Sequence, residues 1–304
     1  MSGSAPLSIA SMSFEKKQVM TDDQIPLTYY VRGNPLGPTV LICNGWGARH
    51  TYFLPIITHF EDRFRFIAWD YRGQYNSGRP QEKEPDLSIL RHARDGMMIL
   101  ETEGVEHCHG IAWSMGCQVI LEMIKKLPFS FESLSLHNGY SGKTIKKGIP
   151  NLVPLQVVIQ ALKAVATQGS LLKEIAKSAS QQNWVIEALT QVGLFHPKLD
   201  RTHMKNMFYD ISRLDLALSI EQLLELQKHQ ACQVLPKITC PTLLLYANKD
   251  LLVPFSEAER MAEKINKAEI HSIEGGSHYA LWEFPEQFQH ALEHFWPKPT
   301  IRPS

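Results

Sequence analysis

The sequence predicts an α/β protein with a mostly parallel central sheet, helices on both faces of that sheet, and an inserted helical cap. Strand-like runs alternate with helical patterns in the first and last parts of the chain, which is typical of a parallel sheet. The run at 39–43 is almost entirely apolar, as expected for a strand buried on both faces. Residues 141–236 carry helical patterns but almost no strand pattern, and the segment is too long for a loop.

The individual elements follow from these patterns. Strands are predicted at 14–20, 27–31, 39–43, 64–69, 107–113, 131–136, 243–246 and 268–273. Helices are predicted in the core at 52–60, 87–103, 115–127, 256–266 and 285–295, and in the insertion at 155–166, 171–179, 184–192, 201–210 and 220–228. The turn signal Thr21-Asp22-Asp23 joins the first two strands, which are therefore predicted to be antiparallel.

These elements divide the chain into a core and a cap. We predict a core formed by residues 14–140 and 237–296, a helical cap or lid at 141–236, and flexible tails at 1–13 and 297–304. Ligands of open α/β sheets bind beyond the carboxyl ends of the strands, so an insertion that leaves from this edge would cover such a site. The alternative is a helical subdomain that only packs against the core.

Composition excludes several classes of function. The 304 residues are 44% hydrophobic and 20% charged, and 31 Lys and Arg residues balance 31 Asp and Glu residues, so no overall field would recruit nucleic acid. No apolar run reaches the roughly 18 residues of a membrane span. The start of the chain lacks a signal-peptide pattern. Five cysteines without a C-x-x-C pair favour buried free thiols in a reducing compartment. We therefore expect a cytoplasmic protein.

Ser114 is the candidate nucleophile. It lies where a buried strand meets a helix, in the pattern Ala112-x-Ser114-x-Gly116, and a turn this sharp needs small residues on both sides of the serine. Alanine replaces the more usual glycine at the first of these positions. At the start of the helix, the backbone N–H of Met115 would stabilise an oxyanion. The alternative is a serine that only caps the helix.

A second oxyanion donor is predicted in the loop after the third strand. The segment Asn44-Gly45-Trp46-Gly47 has two glycines around one residue, so its backbone can approach a ligand closely. We assign the backbone N–H of Trp46 as the donor. An ordinary glycine-rich turn is the alternative. The glycine spacing fits neither a dinucleotide fingerprint nor a P-loop, and no cofactor is predicted.

Asp250 and His278 are predicted to complete the site. A serine hydroxyl needs a base, and a carboxylate must hold that base in the correct tautomer. Asp250 follows the strand at 243–246 and His278 follows the last strand, so both belong to the same sheet edge as Ser114. The chain order Ser, Asp, His is that of a nucleophile-elbow triad.

Other polar residues receive different interpretations. His50 lies near the glycine loop and could line the pocket. Asp70, after the fourth strand, is the rival carboxylate. The segment Asp70-Tyr71-Arg72-Gly73 is instead predicted to form a structural turn in which Asp70 or Arg72 bonds local backbone, and Glu283 is predicted to be structural as well. The pairs His290 with His294 and His107 with His109 lack a visible third ligand, so no metal is predicted.

Together these motifs resemble the α/β-hydrolase fold family, in the branch with a helical cap after the sixth strand. The resemblance covers nearly the whole chain and rests on Asn44-Gly45-Trp46-Gly47, Asp70-Tyr71-Arg72-Gly73 with Ser77, Ala112-Trp113-Ser114-Met115-Gly116, Pro241 to Leu245 with Asp250 and Pro254, and Gly276-Ser277-His278 with Glu283 and Pro285. It implies a cofactor-free serine hydrolase. A serine nucleophile argues against the dehalogenases and epoxide hydrolases of the family, which use aspartate. The glycine loop also differs from the His-Gly-Gly-Pro of iminopeptidase-like members.

The composition of the cap narrows the range of expected substrates. Apolar residues outnumber charged residues in the cap and predict an apolar acyl pocket. The alternative is that all of them pack against the sheet. These residues are Leu152, Val153, Leu155, Val157, Val158, Leu162, Val185, Met204, Met207 and Phe208. We therefore predict hydrolysis of a carboxylic ester or lactone with a small to medium apolar acyl group, through an acyl-enzyme on Ser114. Thioester hydrolysis, carbon–carbon bond hydrolysis and acyl transfer on the same fold stay open, as does a non-catalytic ligand receptor with a lid.

Overall fold

A single eight-stranded sheet organises the protein. The computed structural model describes residues 13–82, 85–126, 130–142 and 182–296. The strand order is β1-β2-β4-β3-β5-β6-β7-β8. The strands are β1 (Glu15–Met20), β2 (Pro26–Gly33), β3 (Thr39–Cys43), β4 (Arg65–Trp69), β5 (His107–Trp113), β6 (Ser130–His137), β7 (Thr242–Ala247) and β8 (Ala268–Ile273). β1 pairs with β2 and β2 with β4 in antiparallel fashion, and all other pairs are parallel.

Helices cover both faces of this sheet. In the core they are α1 (Leu54–Phe60), α2 (Ile89–Thr102), α3 (Met115–Lys126), α7 (Ser256–Ala262), α8 (Ala280–Glu283) and α9 (Pro285–Phe295). α4 (Asn183–Gln191), α5 (Arg201–Ser212) and α6 (Leu216–Lys228) lie between β6 and β7 in the chain. A short 3₁₀ helix, His50–Phe53, precedes α1, and another, Leu235–Lys237, precedes β7.

The alternation of side chains along β3 explains the two-sided core. Leu41 and Cys43 belong to one hydrophobic cluster, which includes residues of α2, α3 and α7. Val40 and Ile42 belong to the opposite cluster, with residues of α1 and α9. Successive side chains of a strand point to opposite faces, so a strand covered by helices on both sides must be apolar at nearly every position.

The predicted fold class is confirmed, including the antiparallel start of the sheet. The predicted helix at 256–266 is too long, because α7 ends at Ala262. The predicted cap helices at 155–166 and 171–179 lie outside the described residues, as do both predicted tails except Ser13. The division into a core and a cap at 141–236 stays a prediction.

The described helices of the insertion are anchored to the core by polar contacts. Trp46, after β3, donates its indole N–H to the carbonyl of Ser219 in α6 at 2.9 Å. Gln222, also in α6, donates to the carbonyl of Arg72 at 3.0 Å. The side chains of Asp200 and Asp215 cap the N-termini of α5 and α6. The contacts of Trp46 and Gln222 place α6 over the carboxyl ends of β3 and β4, and Arg49 contacts Asp210 of α5 at 3.5 Å.

All five cysteines are free thiols. Cys43, Cys108 and Cys117 are buried, and Cys232 and Cys240 are half-buried. In the described part of the chain, no helix is both long enough and apolar enough to cross a bilayer.

Candidate active site

Ser114 occupies a tight turn between β5 and α3. Its backbone φ is +53°, in the left-handed region that non-glycine residues rarely adopt. The Ser114 N–H donates to the carbonyl of His137 in β6 at 3.0 Å. A Cβ at Gly116 would lie 2.0 Å from the carbonyl oxygen of Cys43, so this position requires glycine. Ala112 is completely buried within the core, where its methyl group takes the place of the usual glycine.

The structure brings Ser114, His278 and Asp250 together. His278 Nε2 lies 3.1 Å from Ser114 Oγ, and His278 Nδ1 lies 2.7 Å from Asp250 Oδ2. Ser114 follows β5, Asp250 follows β7 and His278 follows β8. Residues separated by up to 164 positions therefore meet at one edge of the sheet. A hydroxyl, an imidazole and a carboxylate in this sequence of contacts can generate a nucleophilic oxygen.

Local backbone fixes the orientation of Asp250. Its Oδ1 accepts the N–H groups of Leu252 at 2.7 Å and Val253 at 2.9 Å, while Oδ2 faces His278. The Asp250 side chain is fully buried. One oxygen is therefore occupied by backbone donors, and the other is available only to the imidazole.

The two predicted oxyanion donors lie on segments in direct contact. Met115 is the first residue of α3, so its N–H has no acceptor within the helix. The contact of Gly116 with the end of β3 holds this helix start against the loop that contains Trp46. Gly47, the next residue, has a φ of +67°, which glycine adopts without strain. The assignment of the Trp46 and Met115 N–H groups as donors stays a proposal.

Trp113, which precedes the candidate nucleophile Ser114, contacts the loop that contains His278, a role that the sequence did not reveal. Its indole N–H donates to the carbonyl of His278 at 3.1 Å. Its ring stacks on Tyr52 with centroids 3.8 Å apart, and a Cβ at Gly45 would come within 2.4 Å of it. One buried side chain thus contacts both the glycine loop and the loop that carries the candidate base His278.

Asn138 and Glu283 support the same loop. Asn138, with a φ of +42°, donates from Nδ2 to the carbonyls of Ser277 at 3.1 Å and His278 at 3.4 Å. Glu283 accepts the N–H of Ser277 at 2.7 Å and the N–H of His196 at 2.8 Å, and it also accepts the Ser277 hydroxyl. The structural role predicted for Glu283 agrees with these contacts.

Replacing Trp113 by phenylalanine should lower kcat about tenfold and change KM little. The variant keeps an aromatic ring against Tyr52 but loses the hydrogen bond to the carbonyl of His278. The imidazole then shifts relative to Ser114, while the cleft keeps its shape. Steady-state kinetics with a neutral ester would test this. Trp282→Phe is the matched control, because Trp282 donates its indole N–H to the backbone carbonyl of Tyr52 and not to that of His278. Equal kcat values for Trp113→Phe and wild type would contradict the positioning role.

The rival residues are engaged elsewhere. His50 is buried and stacks on Tyr30 with ring centroids 3.6 Å apart, and burial lowers its pKa to about 3, so it stays neutral. Asp70 accepts the Tyr30 hydroxyl at 2.8 Å and the N–H of Asn76 at 3.1 Å, which is the structural role expected of it. Asp70 is thus the residue of this turn that bonds local backbone, whereas the Arg72 guanidinium pairs with carboxylates that are distant in sequence.

Those carboxylates are Asp95, at 2.7 and 2.8 Å, and Asp23, at 2.7 Å. Arg72 and Asp95 are both almost completely buried. The pairing holds α2 and the turn between β1 and β2 against the segment that follows β4. It is a structural network at the side of the sheet away from His278.

Of the cap residues predicted to contribute to an acyl pocket, Val185, Met204, Met207 and Phe208 lie in the described part of the chain, and Val185 is half-buried. Met204 and Met207 pack in the same cluster as core residues of the sheet, and Met207 also lines a cavity of about 370 Å³. Phe208 packs near Phe195, with ring centroids 5.8 Å apart. The cap residues named between 152 and 162 lie outside the described part of the chain.

Known proteins resemble this chain over most of its length. A protein provisionally named carbamate hydrolase RutD, from Stutzerimonas stutzeri, is 24% identical over 261 residues, which cover 86% of this chain and 92% of the relative. The pimeloyl-[acyl-carrier protein] methyl ester esterase of Aeromonas hydrophila is 24% identical, covering 85% of this chain and 95% of its own.

Solved structures agree with this likeness in fold. An esterase from Exiguobacterium antarcticum superimposes with a TM-score of 0.71 at 20% identity, covering 92% of this chain and 99% of that one. The family described as alpha/beta hydrolase fold matches residues 38–285, which include Trp46, Ser114, Asp250 and His278. The chain therefore belongs to the alpha/beta hydrolase fold family and is a hydrolase.

Proposed function

We propose that this protein hydrolyses carboxylic esters or lactones with small to medium apolar acyl groups, through an acyl-enzyme on Ser114. The observation that carries the proposal is the chain of contacts from Ser114 Oγ to His278 Nε2 at 3.1 Å and from His278 Nδ1 to Asp250 at 2.7 Å. Asp250 accepts from the imidazole, so Nε2 carries the lone pair that takes the serine proton.

Acylation would begin with attack of Ser114 Oγ on the carbonyl carbon of the ester. As the new C–O bond forms, His278 takes the hydroxyl proton and the carbonyl oxygen becomes negative. The N–H groups of Met115 and Trp46 would then donate to this oxyanion. When the intermediate collapses, the alcohol leaves with the proton from His278, and the acyl group stays on Ser114.

Deacylation would use the same groups with water as the nucleophile. His278 takes a proton from the water as its oxygen attacks the acyl carbon, and the proton then returns to Ser114 as the acid is released. Asp250 stabilises the imidazolium in both halves of the reaction, and it need not change its protonation state. Apart from the ester and water, no group outside the protein enters this cycle.

The names of the relatives support carbonyl hydrolysis without specifying the substrate of this chain. One relative is named for a carbamate and another for a methyl ester, and both names denote cleavage next to a carbonyl carbon. An apolar acyl group is supported by Leu54 and Met207, which contribute apolar surface to the cavity between the core and α5, although most other residues of its lining are polar. Because one fold hosts many chemistries, the substrate must be tested directly.

Pre-steady-state kinetics with p-nitrophenyl butyrate should give a burst of p-nitrophenol of about one equivalent per active site, followed by slower turnover. The burst reports acylation of Ser114, and mass spectrometry of a fluorophosphonate-treated sample should place the adduct on the same residue. A correctly folded wild-type protein that shows neither burst nor adduct would contradict the hydrolase mechanism and favour the ligand-receptor alternative.

Further substrates separate the remaining alternatives in the same assay. A series of p-nitrophenyl esters from acetyl to decanoyl should show a maximum in kcat/KM, and a flat response would argue against an apolar acyl pocket. A p-nitrophenyl carbamate tests the chemistry for which RutD is named. Added alcohol that captures most of the acyl group would identify an acyltransferase instead.

A further inference from the structure

Two adjoining cavities lie between the core and the cap helix α5. The larger, of about 370 Å³, is lined among others by Tyr52, His203 and Asn206. The smaller, of about 250 Å³, is bordered among others by Arg213. Arg49, Tyr75 and Asp210 line both cavities, so they form the partition between them. The larger volume alone is within the usual range for a small-molecule site.

Two residues that line the cavities contact segments that carry the candidate catalytic residues. The hydroxyl of Tyr75 donates to the carbonyl of Gly47, next to the proposed oxyanion donor Trp46. Tyr52 stacks on Trp113, which directly precedes the nucleophile. Tyr75 also has a φ of +47°, and strained backbone of this kind concentrates at functional sites. A ligand in these cavities would therefore lie beside the glycine loop.

Arg49 is incompletely paired in this position. Its Nη1 lies 3.5 Å from Asp210 Oδ2, which is long for a charge-assisted hydrogen bond. Its Nε is buried without a hydrogen-bond partner among the described residues, and its guanidinium lies over the ring of Tyr75, 5.0 Å from the ring centroid. Unpaired donors in a buried position are costly, and a ligand that supplies acceptor oxygens would remove this cost.

The charges around the cavities leave room for one more anion. Asp215 is paired with Arg79, and His203 is neutral because burial lowers its pKa to about 4. Among the residues that line the cavities, Arg49 and Arg213 then face Asp210 alone, and the net charge of the lining is one positive charge. Asp70 also attracts Arg49, but it lies outside the lining and accepts hydrogen bonds from Tyr30 and Asn76. A singly charged carboxylate neutralises this excess, whereas a doubly charged phosphate would exceed it.

We propose that Arg49 binds a carboxylate carried by the ester substrate, so that this hydrolase acts on esters that also have a free carboxyl group. The planar guanidinium can hold a carboxylate through two parallel hydrogen bonds, and Asp210 is the internal group that the ligand displaces. This inference rests on the proposed ester hydrolysis for its kinetic consequence, but the binding of a carboxylate does not depend on it.

Binding is tested first, in the Ser114→Ala variant, by calorimetry with monomethyl adipate and with the neutral methyl hexanoate. Arg49→Gln in this background should weaken binding of monomethyl adipate at least about tenfold and leave methyl hexanoate unchanged. Asp210→Asn should strengthen it, because the competing carboxylate is removed. Arg201→Gln is the matched control, since Arg201 lies on the same helix and pairs with Glu187 on the cap surface.

Kinetics with Ser114 intact then identify the part of the substrate that carries the carboxylate. Monomethyl adipate has it in the acyl group, and 6-acetoxyhexanoate has it in the leaving group. Arg49→Gln should raise KM at least about tenfold for one of these two substrates and should leave the matching neutral esters within about twofold.

Several outcomes would overturn the carboxylate site. The first is that Arg49→Gln loses as much affinity for methyl hexanoate as for monomethyl adipate. The second is that Asp210→Asn binds monomethyl adipate more weakly, and the third is that inorganic phosphate binds more tightly than monomethyl adipate. If calorimetry supports the site but no ester is cleaved by the wild type, the proposed function fails and the carboxylate site stands.

Discussion

Ser114→Ala is expected to lower kcat for ester hydrolysis by about 10⁴-fold or more and to leave the fold intact. Alanine keeps the Cβ that the turn already accommodates, and only the hydroxyl that lies 3.1 Å from His278 Nε2 is lost. The remaining groups could still bind the ester and its transition state, so a low residual rate should persist. Stopped-flow and steady-state kinetics would measure the loss, and circular dichroism would confirm the fold.

Ser114→Gly provides a second variant that separates chemistry from conformation. The φ of +53° at this position costs a non-glycine residue about 1–2 kcal/mol, and glycine adopts it freely. Glycine also loses more backbone entropy on folding, which offsets part of this gain. The free energy of unfolding of Ser114→Gly should therefore exceed that of Ser114→Ala by about 1 kcal/mol. Both variants should be equally inactive. If Ser114→Ala kept a substantial fraction of wild-type turnover, another residue would have to be the nucleophile.

The order of elements was predictable because its signals are local. A window of about ten residues is enough to recognise an apolar strand such as β3, because turn residues flank it and a helical pattern follows it. Parallel strands place their carboxyl ends at one edge, so residues directly after β5, β7 and β8 could be grouped without knowing any distance. This reasoning grouped Ser114, Asp250 and His278, although their exact contacts required the structure.

The supporting residues were not predictable because their partners are distant in sequence. Trp113 donates to a carbonyl 165 positions away, and Asn138 to one 139 positions away. Neither residue has a local pattern that distinguishes it from an ordinary residue at the end of a strand. Arg72 shows the same limit, since its place in a turn gave no indication that its guanidinium pairs with Asp95.

His50 illustrates how burial can exclude a candidate that sequence position favours. It follows the glycine loop closely, which suggested that it could line the pocket, but its ring stacks on Tyr30 and is covered by Phe14. The next residues along the 3₁₀ helix, Thr51 and Tyr52, line the larger cavity instead. The turn of this short helix decides which side chains face the cleft, and the sequence pattern did not resolve it.

Asp250→Asn is expected to lower kcat by about 10⁴-fold through the tautomer of His278. The N–H groups of Leu252 and Val253 require an acceptor where Oδ1 now lies, so they would select the amide oxygen of asparagine for that place. The amide NH₂ group would then face His278 Nδ1, which must become an acceptor. The imidazole proton would move to Nε2, where it blocks transfer from Ser114.

The tautomer separates this mechanism from a general loss of structure. Nitrogen NMR should show His278 protonated on Nδ1 in the wild type and on Nε2 in Asp250→Asn, with little change in KM. Asp70→Asn is the matched control, since Asp70 is also a buried carboxylate beyond a strand end, but its partners are Tyr30 and Asn76. That control should lower the free energy of unfolding and preserve kcat for a neutral ester. An unchanged tautomer in Asp250→Asn, together with a raised KM and normal kcat, would show that Asp250 shapes the cleft and does not orient the base.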